Sequence, residues 1–156
     1  MGSFSQGAKV NLSEHFTYAE FTRSDTALRL GLTNDLPCEL MHNAQATAAM
    51  MERIRAYLGC PLTISSGYRC LELNRAIKSK DTSDHVTGLA CDFTAGSIAP
   101  LAIAQKLAPM MDKLFIGQLI YEHTWVHVGV PVPEKPANRI LTVQPWGYST
   151  GVTDAA

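Results

Sequence analysis

Ser83-Asp84-His85-Val86-Thr87-Gly88-Leu89-Ala90-Cys91-Asp92 is the stretch from which the rest of the chain can be read. His85 precedes Asp92 by seven residues, and Gly88 between them permits a tight turn. Residues 89–94 alternate with the period of a strand: Leu89, Cys91 and Phe93 point one way, Ala90 and Asp92 the other. His85 is therefore expected on a loop and Asp92 on the strand that follows. If Leu89, Cys91 and Phe93 pack into the core, Asp92 faces a cleft.

A second strand complements the first. In Trp125-Val126-His127-Val128-Gly129-Val130 the three valines form one face, and Trp125, His127 and Gly129 the other. An imidazole on a rigid strand opposite a β-branched face is well placed as a metal ligand. Two His and one carboxylate with an open fourth position make a common catalytic zinc shell. If His123-Thr124 is a two-residue loop, Glu122 pairs with Trp125, Ile120 with His127 and Gln118 with Gly129. Glu122 then lies diagonally from His127, about 7–8 Å away by Cα, within reach of general-base work on water. Each residue alone also admits a structural role; the combination points to chemistry. His15 and His42 read as structural, and His123 as a solvated hairpin tip.

The remaining pattern predicts an α+β domain with a small antiparallel sheet flanked by helices. Thr17-Tyr18-Ala19-Glu20 has the form of a capping box opening a short helix. Leu40, Ala44, Met51, Ile54 and Leu58 mark one face of a long helix over 38–58, ended by Gly59 and Pro61. Residues 62–65 read as a strand, Ser66-Gly67 as a turn, 71–78 as a short helix and 79–84 as a polar loop. Ser97 is expected to cap a helix over about 98–111, with Pro100 in its first turn. Segments 116–122 and 125–130 form the hairpin. A flexible stretch over 1–10 and a tail over 147–156 are expected to flank one domain spanning 11–146.

Composition narrows the class. The 156 residues (17.0 kDa) are 46% hydrophobic, enough for one domain with a real core. Thirteen Lys and Arg against fourteen Asp and Glu give a net charge of -1, without the basic field of most nucleic-acid binders. No apolar run reaches the roughly 18 residues of a membrane span, and the first ten residues lack the basic and apolar regions of a signal peptide. Cytosolic synthesis and a monomer are expected. Cys38, Cys60, Cys70 and Cys91 include no C-x-x-C pair, so reduced, partly buried thiols are expected.

The motifs together resemble a known family. S-x-H-x-x-G-x-A-x-D, carried by Ser83, His85, Gly88, Ala90 and Asp92, is similar to the signature of the zinc D-Ala-D-Ala carboxypeptidase superfamily, which includes VanX-type dipeptidases and phage L-Ala-D-Glu endopeptidases. Ser66-Gly67-Tyr68-Arg69, followed by Leu73 and Asn74, resembles its substrate-side motif, and Trp125-Val126-His127 its third-ligand strand. His15-Phe16 and Glu20-Phe21 resemble the phage and prophage branch. The resemblance implies a Hedgehog/DD-peptidase fold holding one Zn2+ ion through His85, Asp92 and His127. It implies Arg69, Ser83 and Trp125 as substrate-binding residues. Many members place the catalytic acid three positions before the last histidine, where this chain has Thr124; the nearest acid is Glu122. The implied activity is hydrolysis of a peptidoglycan stem peptide by an endolysin that reaches the periplasmic wall after release from the cytosol. D-Ala-D-Ala carboxypeptidase, dipeptidase and L-Ala-D-Glu endopeptidase all remain open. The alternative is a non-catalytic, zinc-containing module that binds wall or protein.

Overall fold

A computed structural model describes residues 10–154. The chain begins with two short helices, α1 (Tyr18–Thr22) and α2 (Asp25–Leu30). The capping box is formed in full: Thr17 Oγ1 accepts from the Glu20 backbone N–H, and Glu20 Oε2 accepts from the Thr17 backbone N–H at 2.9 Å. A 3-10 turn (Cys38–Leu40) leads into α3 (Met41–Leu58), closed by Gly59 in the left-handed conformation. Ala44, Met51 and Ile54 on its expected face are buried. There follow β1 (Thr63–Ser66), α4 (Leu71–Ala76), β2 (Ala90–Thr94), α5 (Pro100–Leu107) and α6 (Met111–Leu114). Strands β3 (Gln118–Tyr121), β4 (Val126–Gly129), β5 (Arg139–Gln144) and β6 (Gly147–Thr150) complete the chain.

The architecture is α+β, with one six-stranded sheet in the order β1-β2-β4-β3-β5-β6. The sheet is mostly antiparallel, as expected, and larger than expected, with one pairing that departs from the pattern. Strands β3 and β5 pair in parallel, Gln118 opposite Arg139 and Ile120 opposite Leu141. The expected tail over 147–156 is also revised: Gly147–Thr150 pairs antiparallel with β5 and forms the edge of the sheet. Apart from Val10, the stretch expected to be flexible lies outside the described residues. The helix expected over 98–111 is shorter and broken. Ala95 bridges to Ile98, Ala99 takes the N-cap without a side-chain bond, and Ser97 is left out of the cap. Pro109, which has no backbone N–H, sits in the 3-10 turn that separates α5 from α6.

Strand alternation sorts the sheet into two faces. Cys91, Phe93, Val126, Val128, Leu119 and Tyr121 belong to the main core together with Met50, Met51 and Ile54 of α3 and Ile103 and Leu107 of α5. The opposite face carries Asp92, His127 and Ile120 in one row, since Asp92 pairs with His127 and His127 with Ile120. Burial pushes the Cys91 thiol well above its ordinary pKa, so it serves as a packing group. The four cysteines are free.

One close approach fixes the loop behind this face. Tyr68 N–H donates to Phe21 O at 2.8 Å, which brings Gly67 so near α1 that an added Cβ would stand 2.4 Å from the Phe21 carbonyl oxygen. Gly67→Ala is expected to destabilise the fold by about 1–3 kcal/mol through overpacking against backbone. Urea denaturation of the variant checks this; an unchanged midpoint would show that the loop yields.

Candidate metal centre

Each of the three central side chains is placed by local chemistry. The His85 loop turns through Gly88 (φ 75°), whose N–H donates to His85 O at 3.2 Å, while Leu89 N–H donates to Asp84 O at 2.9 Å. Thr47 Oγ1 on α3 donates to Gly88 O at 2.7 Å and holds the turn against the core. Asp84 is tied down by the Lys135 ammonium, which also donates to Thr82 O at 3.2 Å. Asp92 and His127 stand opposite each other on β2 and β4. The β3–β4 hairpin has the expected register: Gln118 opposite Gly129, Ile120 opposite His127, and Glu122 N–H donating to Trp125 O at 3.1 Å. His123 takes a positive φ of 62° to make the turn.

His85, Asp92 and His127 are buried, and their ligand atoms lie within 4.8 Å of one another. His127 Nδ1 is 2.9 Å from Asp92 Oδ1, and His85 Nε2 is 3.2 Å from both. The outward nitrogens are already engaged. His85 Nδ1 lies 2.6 Å from Gly67 O, so it carries a proton and leaves Nε2 as a lone pair. His127 Nε2 lies 3.2 Å from Gln118 Oε1, which orients it the same way. Three acceptor atoms then face one another, an arrangement that requires a cation among them: a proton in the bare protein, a metal in the loaded one. Zinc bonds of about 2.0–2.1 Å at the tetrahedral angle separate neighbouring ligand atoms by about 3.3 Å, close to the spacing found here. The donor set fits zinc.

The Asp92 carboxylate has a second partner. Its Oδ2 accepts from Arg69 Nη2 at 3.1 Å, while Arg69 Nε donates to Ser66 Oγ at 3.0 Å and Nη1 to Asn74 Oδ1 at 3.3 Å. Arg69 is thus first of all a brace for Asp92, a contact that the sequence reading did not anticipate. Burial opposes the charge on Asp92, yet in the bare protein the proton held among the three groups lets His85 and His127 act on it by charge and hydrogen bond, and they hold its carboxyl far below the usual range.

Glu122 is half-buried at the end of β3, and its carboxyl is raised above the ordinary value. Burial is the main cause and the negative charge of Asp92 adds to it. His127, Arg69 and the Trp125 indole N–H pull the other way. That indole N–H is buried and short of hydrogen-bonding geometry with any described group. Ser83 shapes the His85 turn, its carbonyl accepting from Val86 N–H at 3.0 Å and its Oγ more loosely from His85 N–H at 3.4 Å. His15 lies elsewhere, paired with Glu52 of α3 at 2.8 Å.

Gln118, Asn74 and the Gly67 carbonyl support the site through contacts that the sequence motifs did not reveal. Gln118 was legible in principle, because the hairpin register puts it on the His127 face. Gln118→Leu is expected to weaken metal affinity about 10–100-fold, the usual effect of losing a ligand's outer partner. Competition with a chromogenic chelator measures it; wild-type affinity would mean that His127 is oriented without Gln118.

Two imidazoles and a carboxylate on one sheet face, with a half-buried glutamate beside them, form a site that could hold zinc, as the zinc-dependent metallopeptidases do. Residues 14–129 match the model of the Peptidase M15 family, and the chain belongs to that family. M15 peptidases are zinc-dependent. Comparison with curated proteins gives no match.

Proposed function

We propose that this protein is a zinc endolysin of the Hedgehog/DD-peptidase fold that hydrolyses one bond in peptidoglycan stem peptides, as an L-Ala-D-Glu endopeptidase or a D-Ala-D-Ala carboxypeptidase. The observation that carries this reading is the convergence of three unshared lone pairs, from His85, Asp92 and His127, within charge contact of Glu122. When bound, zinc polarises the scissile carbonyl and lowers the pKa of water toward about 7. Glu122 takes the proton from the attacking water and returns it to the leaving amine. A carboxyl that burial inclines toward its protonated form suits both steps. Arg69 has three of its five N–H hydrogens on Ser66, Asn74 and Asp92, and offers the other two to a substrate carboxylate. Ser83 hydrogen-bonds the substrate and Trp125 walls the cleft. The acid missing at Thr124 is supplied by Glu122, which disfavours a purely binding role.

In this reading the protein is made in the cytosol of a phage-infected or lysogenic cell and reaches the periplasmic wall on release. Among the described residues no helix is long and apolar enough to cross a membrane. Incubating the zinc-loaded protein with purified peptidoglycan, with His127→Ala as control, and identifying products by mass spectrometry tests the proposal. New D-Glu amino termini mean the endopeptidase and released D-Ala the carboxypeptidase. Intact peptidoglycan with a folded, zinc-bearing protein would contradict both.

A further inference from the structure

His85 is the one member of the His85, Asp92 and His127 group that lies outside the sheet, so the ladder that sets Asp92 opposite His127 does not fix it. Its turn is held from the core side by Thr47 and Asn43 of α3, which donate to Gly88 O and Thr87 O. Arg69 N–H donates to His85 O at 3.1 Å. The flank that precedes His85 is held by a different element. Lys135 pairs with Asp84, next to His85 in the chain, and donates to Thr82 O. Asp84 is the base of the turn: its carbonyl accepts from Leu89 N–H at 2.9 Å and from Thr87 Oγ1 at 3.1 Å. Its Oδ2 lies over Gly129, 3.7 Å from where a Cβ would stand, so the ion pair seats the turn against β4, two residues from His127.

The segment that carries Lys135 is shaped to present it. Residues 130–138 connect β4 to β5 and must pass the end of β3, which lies between those strands. Both ends are seated on Gly117. A Cβ there would stand 2.5 Å from the Pro131 Cα, and Arg139 N–H donates to Gly117 O at 3.1 Å. Asn138 donates to Asp112 Oδ1 at 2.8 Å, and Lys135 N–H to Val132 O at 3.1 Å. Pro131, Pro133 and Pro136 restrict the backbone further, so little chain freedom is lost when the ammonium engages Asp84.

Burial decides what the pair does. The Asp84 side chain is 10% exposed and that of Lys135 32%. Without the ammonium, the carboxylate is left charged and buried, and the turn must open to bring it to water. Without the carboxylate, the long lysine side chain reaches solvent by itself. Opening the turn displaces His85, because the two residues are consecutive.

We infer that Lys135 is a positioning residue of the metal centre: the strap over 130–138 latches Asp84 and thereby holds His85 in place beside Asp92 and His127. The strap lies beyond residues 14–129, so the histidine is held from outside the segment that matches the family. This inference rests on the reading of His85, Asp92 and His127 as zinc ligands.

Two measurements test it. Zinc affinity, from competition with a chromogenic chelator, is read on folded molecules and so separates positioning from stability. Lys135→Met is expected to weaken it about tenfold, the lower end of the loss seen when a ligand's outer support goes. Lys135→Arg keeps the ion pair and should stay within about threefold of wild type. Asp84→Asn/Lys135→Met should also recover to within about threefold, since no buried charge is left unpaired. Wild-type affinity in Lys135→Met, or a double variant as weak as the single, would overturn the inference. The second measurement is hydrogen exchange on the same proteins before zinc is added. The Leu89 amide, bonded to Asp84 O, should exchange about tenfold faster in Lys135→Met and at the wild-type rate in the double variant, with the β2–β4 ladder amides unchanged. Equal Leu89 exchange in wild type and Lys135→Met would overturn the latch. The expected exchange pattern in a protein that binds no zinc would support the latch and count against the zinc reading alone. The expected affinities with intact peptidoglycan would support the inference and count against the peptidase reading alone.

Discussion

Glu122→Gln is expected to lower kcat on peptidoglycan by about 10²–10⁴-fold, the range over which a positioned general acid–base group acts. The substitution keeps the shape of the side chain and leaves His85, Asp92 and His127 untouched, so metal content should stay at one zinc per chain. The assignment rests on register: Glu122 pairs with Trp125 at the end of β3 and feels the charges of Asp92, His127 and Arg69. A tenfold loss or less, with zinc retained, would mean that Glu122 does not carry the proton. Thr124, three positions before His127, has no carboxylate with which to replace it.

The second large effect concerns the metal. Adding zinc to the stripped protein at about a thousand times Kd should stabilise the fold by about 4 kcal/mol, through binding to the native state alone. For a chain of this size that raises Tm by roughly 8–16 °C. His127→Ala should abolish both the shift and the activity, because it removes one of three ligands and leaves Asp92 without its 2.9 Å partner. Differential scanning calorimetry with and without zinc checks this. An equal shift in the variant would place the metal elsewhere.

The candidate metal centre, as a cluster of His85, Asp92 and His127, was legible because its geometry is local. Seven residues with one glycine bring a loop histidine and a strand aspartate together, and period-two alternation puts His127 on the face away from the valines. The hairpin register followed from loop length even though His-Thr is a poor turn pair; His123 absorbs the cost by adopting a left-handed conformation. Distant partners were not legible. Strand β5 pairs in parallel with β3, and nothing in its own pattern names that partner. Strand β6 is short and exposed, and it reads as a polar end. The bracing of Asp92 by Arg69 depends on how the loop between β1 and α4 meets the His85 turn, where Arg69 N–H donates to His85 O at 3.1 Å, so the sequence assigns Arg69 to substrate alone. Ser97 was expected to cap because serine often does; the Ala95–Ile98 bridge takes that backbone first.

Titrating zinc into chelator-stripped protein while counting new amino or carboxyl termini released from peptidoglycan tests the central claim most directly. Hydrolysis should rise in proportion to added zinc and level off at one ion per chain, with none in His85→Ala, Asp92→Ala or His127→Ala. Hydrolysis by the fully stripped protein, or one tightly bound zinc with no new ends, would contradict it.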